Sequence, residues 1–140
     1  MATDSGTRID PSADEVSNYD YQNETVARSG LVDDLQARVD GEVRFDEYSR
    51  QLYATDASLY EVLPIGVVYP QSTEDVAAVM SYCAQREIPV LPRGGGTSLA
   101  GQTVNEAVVL DFSRYMNDLV EARPDDRRAR AQPGIKLGDL

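Results

Sequence analysis

The 140 residues contain no histidine and no tryptophan, one cysteine, and a single lysine at position 136. Each scarcity removes a class of chemistry. Without histidine these residues hold no imidazole general base, no His metal ligand and no His-tethered cofactor. One cysteine forbids an internal disulfide, and cysteine usage gives no sign of an oxidising compartment. Cys83 stands among Val79, Met80 and Ala84 in a predicted helix, the setting of a small buried thiol and not of a nucleophile. The opening MATDSGTRIDPSADEV lacks both the basic start and the apolar stretch of a signal peptide or membrane span. It predicts a cytoplasmic protein with no transmembrane segment, held at a membrane, if at all, through a partner.

Positive charge is also scarce. Against 24 acidic residues stand 13 basic ones, a net charge of -11, whereas binding a phosphate backbone needs clustered Lys and Arg. The composition therefore predicts no nucleic-acid partner. The basic residues are almost all arginine, and the acids are spread along the chain. An anionic, lysine-poor surface of this kind fits adaptation to high salt, where self-repulsion is screened. An ordinary acidic cytosolic protein is the alternative.

The length suits one domain. Residues 1–26 read as a flexible acidic lead-in, 27–64 as a helical N-terminal segment, and 65–140 as the first part of a larger domain. Leu31, Val32, Leu35 and Val39 have helical spacing over 27–39, with Ser29 as cap and Gly41 as stop. A short helix is expected over 46–52 and an irregular segment from there to Pro64. IGVVYP, 65–70, is a β-branched strand. The helix after it opens on Ser72 and Asp75 at capping-box spacing and places Val76, Val79, Met80 and Cys83 on one face. Strands at 89–92 and 107–112 follow. Strand, helix, strand predicts a right-handed crossover with the first two strands paired in parallel. Beyond Met116, two strands joined at PDDRR are expected, and IKLGDL opens a helix and stops, which predicts a piece of a longer protein.

One stretch concentrates glycine: LPRGGGTSLAGQ, residues 91–102. Glycine costs conformational entropy on folding, so three in a row imply a close approach to the backbone. Inward backbone amides with no β-carbons make a concave anion site, to which Thr97 and Ser98 can add hydroxyl donors. The loop is not a Walker A motif: Gly96 to Gly101 has the spacing, but Gln102 and Thr103 follow without a lysine. Nor is it a Rossmann fingerprint, because Gly94-x-Gly96 leads to Leu99 where glycine is required. A plain glycine turn is the alternative, and it needs only one or two glycines. Pro92 fixes the entry angle, and Arg93 can neutralise a bound pyrophosphate.

The series VVYPQSTEDVAAVM, IPVLPRGGGTSLAGQ, VVLDFSRYMNDLVE and ARAQPGI, over roughly residues 45–140, resembles the N-terminal half of the FAD-binding domain of PCMH-type, vanillyl-alcohol-oxidase-like flavoproteins. The implied fold is α+β, an incomplete PCMH-type domain with a βαβ-containing subdomain of parallel strands. LYATDASLYEVLPIGVVYP and DFSRYMN are most similar to FAD-linked D-2-hydroxy acid dehydrogenases acting on D-lactate, glycolate or D-2-hydroxyglutarate, especially long forms with a fused iron–sulfur region. The resemblance implies FAD as cofactor, a small 2-hydroxy acid as substrate and a separate electron acceptor. It places the FAD pyrophosphate on Arg93, Gly94, Gly95, Gly96, Thr97 and Ser98, continued by Gly101 and Gln102. Pro133 and Gly134 match the family's PG near the adenine end, and Pro70 the strand end beside it. Tyr115, Met116 and Asn117 match a stretch that supports the loop, with packing and strand capping as the alternative. Asp56, in a capping-like TDAS, and Asp111, at a strand end, read as structural. An iron–sulfur cluster and the acid–base groups would belong to downstream segments. The alternatives are an alcohol or sugar oxidase or a reductase on the same fold, or a truncated product that binds nothing.

Overall fold

The computed structural model describes residues 25–140. The expected lead-in falls outside them except for residues 25 and 26, which already belong to helix α1 (Thr25–Gln36). Because the helix starts there, Ser29 lies inside it and is not its cap. Leu31 and Leu35 share one face of α1 and are buried. The helix closes with Arg38 and Val39 both donating to the Leu35 carbonyl. Gly41 then passes so close to the next strands that a β-carbon there would lie 2.2 Å from the Tyr69 carbonyl oxygen.

Strand β1 (Glu42–Arg44) follows, an element the sequence pattern did not announce. Only Val43 of its three residues points inward to a buried position. Helix α2 (Glu47–Leu52) is capped by Asp46, whose carboxylate accepts from the Ser49 amide and hydroxyl at 2.9 and 2.8 Å. Its buried Arg50 donates from Nε to the Pro64 carbonyl at 2.7 Å, tying the helix to the start of the next strand.

Strands β2 (Gly66–Tyr69), β3 (Val90–Arg93) and β4 (Val108–Asp111) join β1 in one sheet of order β1-β2-β4-β3. Strand β1 is antiparallel to β2, and β4 is parallel to both of its neighbours. The expected pairing of the first two parallel strands is thus corrected: β4 inserts between them. Composition explains the order. All four residues of β4, VVLD, are buried, which suits a central strand. Strand β3 carries Pro92, which has no N–H to donate and is tolerated at an edge.

Helix α3 (Thr73–Ala84) crosses between β2 and β3. Its Ser72 cap accepts from the Asp75 amide at 3.1 Å. The reciprocal half of a capping box is missing. Instead the buried Asp75 carboxylate accepts from the amides of Asp40, Gly41 and Gln71 at 2.9, 3.1 and 2.8 Å. Val79, Tyr82 and Cys83 of α3 join Leu31, Leu35, Val68, Val108 and Leu110 in one apolar cluster. Burial pushes the Cys83 thiol up to about 11, which keeps it protonated and inert.

Strands β5 (Leu119–Arg123) and β6 (Arg128–Ala131) form a separate two-stranded antiparallel hairpin, as the turn residues predict. Every residue of β5 is exposed. The last segment makes a 3-10 turn, Leu137–Asp139, where an α-helix was expected.

Candidate functional site

Parallel pairing brings three strand ends to one edge of the sheet. Val68 pairs with Leu110, and Arg93 with Asp111, so Tyr69, Asp111 and Arg93 end their strands side by side. The carboxyl edge of parallel strands, where strand order reverses, is where open α/β sheets bind ligands. A cavity of about 300 Å³ lies across this edge, lined by Tyr53, Tyr69, Arg93, Gly94, Gly95 and Asp111, with Leu52 and Ser113.

The four loop glycines divide into two kinds. Gly96 and Gly101 have φ of +66° and +76°, and β-carbons there would meet Arg93 Nη2 and Tyr60 Cδ2, each at 2.6 Å. The fold itself requires glycine at both. Gly94 and Gly95 are different: a β-carbon would meet nothing nearer than the Pro133 carbonyl oxygen or Thr97 Cγ2, each at 3.6 Å. No packing or strain explains those two glycines, and both line the cavity. The backbone amides of Gly94, Gly95, Gly96 and Thr97 find no acceptor among the described residues. Unpaired amides on a loop without side chains suit an anion.

Ser98 and Gln102 serve the loop itself. The Ser98 hydroxyl donates to Gln102 Oε1 and accepts from the amides of Ala100 and Gln102, at 3.3 and 3.1 Å. Pro133 comes beside Gly94, held by Gly134, whose amide donates to the Met116 carbonyl at 2.9 Å. A β-carbon on Gly134 would lie 2.1 Å from the Phe112 carbonyl oxygen, so the PG pair depends on a backbone-to-backbone approach. Pro70 is buried just beyond Tyr69, its Cα 3.1 Å from where a β-carbon on Gly41 would stand. The structure therefore gathers Arg93 to Thr97 with Pro133 at the strand ends, and sets Gly101 and Gln102 on the return limb beside Tyr60. The Tyr115 hydroxyl donates to Glu42 and the Asn117 side-chain amide to the Ser113 carbonyl, while the Met116 carbonyl accepts from Gly134, next to the Pro133 that stands beside Gly94.

Tyr53 and Tyr69 escaped the sequence reading. Tyr53 donates its hydroxyl to Asp111, and burial together with this bond holds the phenol well above its ordinary range. The two rings meet edge-on with centroids 6.0 Å apart. The signal that could have found Tyr69 is its place at a strand's carboxyl end, one residue before the closing proline. Asp111 also accepts from the Ser113 amide and hydroxyl, each at 2.7 Å. Asp56 accepts from the Ser58 amide at 2.8 Å and the Thr103 hydroxyl at 2.9 Å, and Ser58 and Thr103 hold its carboxyl down at about 2. Both carboxylates are occupied in shaping turns.

Residues 64–140, more than half of the chain, match the profile of a family described as FAD binding domain. The chain belongs to that family. It is 40% identical over 89 residues to D-2-hydroxyglutarate dehydrogenase of Escherichia coli (strain K12), covering 61% of this chain and 9% of that protein. It is 33% identical over 130 residues to the mitochondrial cytochrome-type D-lactate dehydrogenase of Kluyveromyces lactis, covering 90% of the chain and 20% of the relative. Glycolate oxidase subunit GlcD of Bacillus subtilis (strain 168) is 30% identical over 107 residues, which are 74% of the chain and 23% of the relative. The chain thus spans a quarter or less of each of these relatives. In fold it matches alkyldihydroxyacetonephosphate synthase, with TM-score 0.65 and 22% identity over 76% of this chain and 23% of that one. Substrate-bound p-cresol methylhydroxylase gives 0.64 and 20% over 83% and 24%. The α+β fold, with three parallel strands and one antiparallel strand in its main sheet, accordingly matches part of the fold of a PCMH-type FAD-binding domain.

The residues fit that cofactor. FAD presents a diphosphate, and the FAD-binding segment of this chain opens a loop of unpaired amides with two glycines that neither packing nor strain demands.

Proposed function

We propose that this chain is the pyrophosphate-holding part of a flavin-dependent D-2-hydroxy acid dehydrogenase. The observation that carries the site is the contrast within the loop: Gly96 and Gly101 are required by the fold, whereas Gly94 and Gly95 are not. In this reading the amides of Gly94, Gly95, Gly96 and Thr97 receive the diphosphate, and the Thr97 hydroxyl adds a donor. The Arg93 guanidinium lies beneath the loop at Gly96. Ser98, Gly101 and Gln102 fix the return limb, while Pro133, Gly134 and Pro70 bound the neighbouring end. Bound there, FAD supplies a two-electron acceptor for the carbon bearing the substrate hydroxyl.

The substrate class is supported by the relatives, whose names concern D-2-hydroxyglutarate, D-lactate and glycolate. Asp56 and Asp111 are committed to turns, so the group that takes the hydroxyl proton belongs to another part of the protein. The electron acceptor belongs there too; the 9% share of the long relative leaves ample chain for an iron–sulfur region. The net charge of -11 with one lysine supports adaptation to high salt. The test is an assay of the full-length protein with D-lactate, glycolate and D-2-hydroxyglutarate and an artificial acceptor. Reduction with at least one acid is expected. A flavoprotein that turns over none of them moves the function to alcohol or sugar oxidation.

A further inference from the structure

Arg93 looks from sequence like a counter-charge for phosphate, but three of its five guanidinium N–H donors are turned to carbonyls of the protein itself. Nη1 donates to the carbonyls of Thr103 at 2.9 Å and Tyr53 at 3.4 Å, and Nη2 to the carbonyl of Thr55 at 2.8 Å. The guanidinium also lies 5.0 Å from the centroid of the Tyr53 ring. It therefore joins three places distant in sequence: the end of β3, the segment after α2, and the return limb of the glycine loop. Gly96 passes directly over it, with Arg93 Nη2, Cζ and Nε at 2.6, 3.0 and 3.1 Å from a β-carbon position. The Gly96 carbonyl in turn accepts from the Ala57 amide at 3.1 Å, so the segment that Arg93 grips also grips the loop.

We infer that Arg93 is a positioning residue: its planar fork on three carbonyls sets the curvature of the glycine loop, and Gly96 is glycine so that the fork can lie under it. This rests on the FAD reading of the site. Lysine separates bracing from charge. It keeps the positive charge but, as a single ammonium on a flexible stem, cannot reproduce the fork.

The experiment titrates FAD into the apo form of the full-length protein carrying Arg93→Lys, Arg93→Met, Gly96→Ala or Arg93→Met with Gly96→Ala. Bracing predicts that Arg93→Lys and Arg93→Met weaken FAD binding alike, by about tenfold or more, the usual scale for losing hydrogen bonds to a charged group. It also predicts that Gly96→Ala weakens binding less in the Arg93→Met background than alone, because removing the guanidinium opens the space that the methyl needs. The apoprotein melting temperature is measured alongside. Weaker binding at a wild-type melting temperature places the effect in the loop. Arg93→Lys at wild-type affinity overturns bracing in favour of charge alone, as does a Gly96→Ala penalty of equal size in both backgrounds. Affinity and melting temperature falling together in every variant overturns it in favour of a general packing role. A wild-type protein that binds no FAD overturns the reading of the site, and this inference with it.

Discussion

Asp56 shows how much of the loop's order hangs on single polar groups. Its carboxylate joins the turn at Ser58 to Thr103, across 47 residues of chain, and those partners hold it down at about 2 against an ordinary 3.8. A carboxyl depressed in the folded state stabilises it fully above about pH 4, and the contribution is lost as pH falls toward 2. Hydrogen bonds from Tyr82 to Asp34, from Tyr115 to Glu42 and from Ser49 to Asp46 lower those groups as well, so acid weakens the same fold at several points. Asp56→Asn is expected to be less stable at pH 7 and to lose less of its stability between pH 5 and pH 3 than the unmodified protein. Urea midpoints at the two pH values measure this, and an unchanged drop would contradict it. At this scale the sequence was legible where a residue's partner is local, as with the Ser72 cap. It was illegible where partners are distant: nothing near Tyr53 in sequence announces Asp111, and nothing near Asp75 announces the amides of Asp40 and Gly41.

Among elements, that Asp75 carboxylate acts as a clasp. It is buried at the start of α3, yet its acceptors are filled by the turn between α1 and β1 and by the end of β2. Replacing it with alanine strands three amides and is expected to cost about 2–4 kcal/mol of unfolding free energy. Asp75→Asn, which keeps one acceptor oxygen, loses less. Denaturant unfolding that finds both variants within about 0.5 kcal/mol of wild type, the range of ordinary surface changes, would remove the clasp. Helical spacing revealed α3, β-branched composition the strand at 65–70 and turn residues the outer hairpin, because each follows from local pattern. Strand order did not follow, since it depends on which strand is apolar on both faces. Strand β1 was missed because three residues with one inward side chain carry no period.

For the whole molecule, charge and cofactor make separate demands. With a net charge of -11, self-repulsion is large and salt relieves it. An ordinary acidic protein gains little once the Debye length has fallen to about 3 Å, near 1 M salt. A salt-adapted one goes on gaining, so the melting temperature of the full-length protein is expected to keep rising in KCl beyond that concentration. A flat or falling curve there returns the surface to the ordinary acidic kind. The candidate site was legible as a cluster of glycines, and the family as a series of motifs in order. Which glycines the fold needs and which it leaves open was not, because that depends on what stands across from each one. Gly95 is the position where this matters most. A β-carbon there meets nothing nearer than Thr97 Cγ2, at 3.6 Å, so an aspartate fits the fold, and on the FAD reading it sets a carboxylate against the diphosphate. The decisive measurement is flavin absorbance per protein for purified full-length Gly95→Asp beside wild type, with melting curves to show that both are folded. A folded variant that has lost its FAD is the expected result, and a variant that retains FAD at the wild-type ratio would contradict the assignment of this loop to the cofactor.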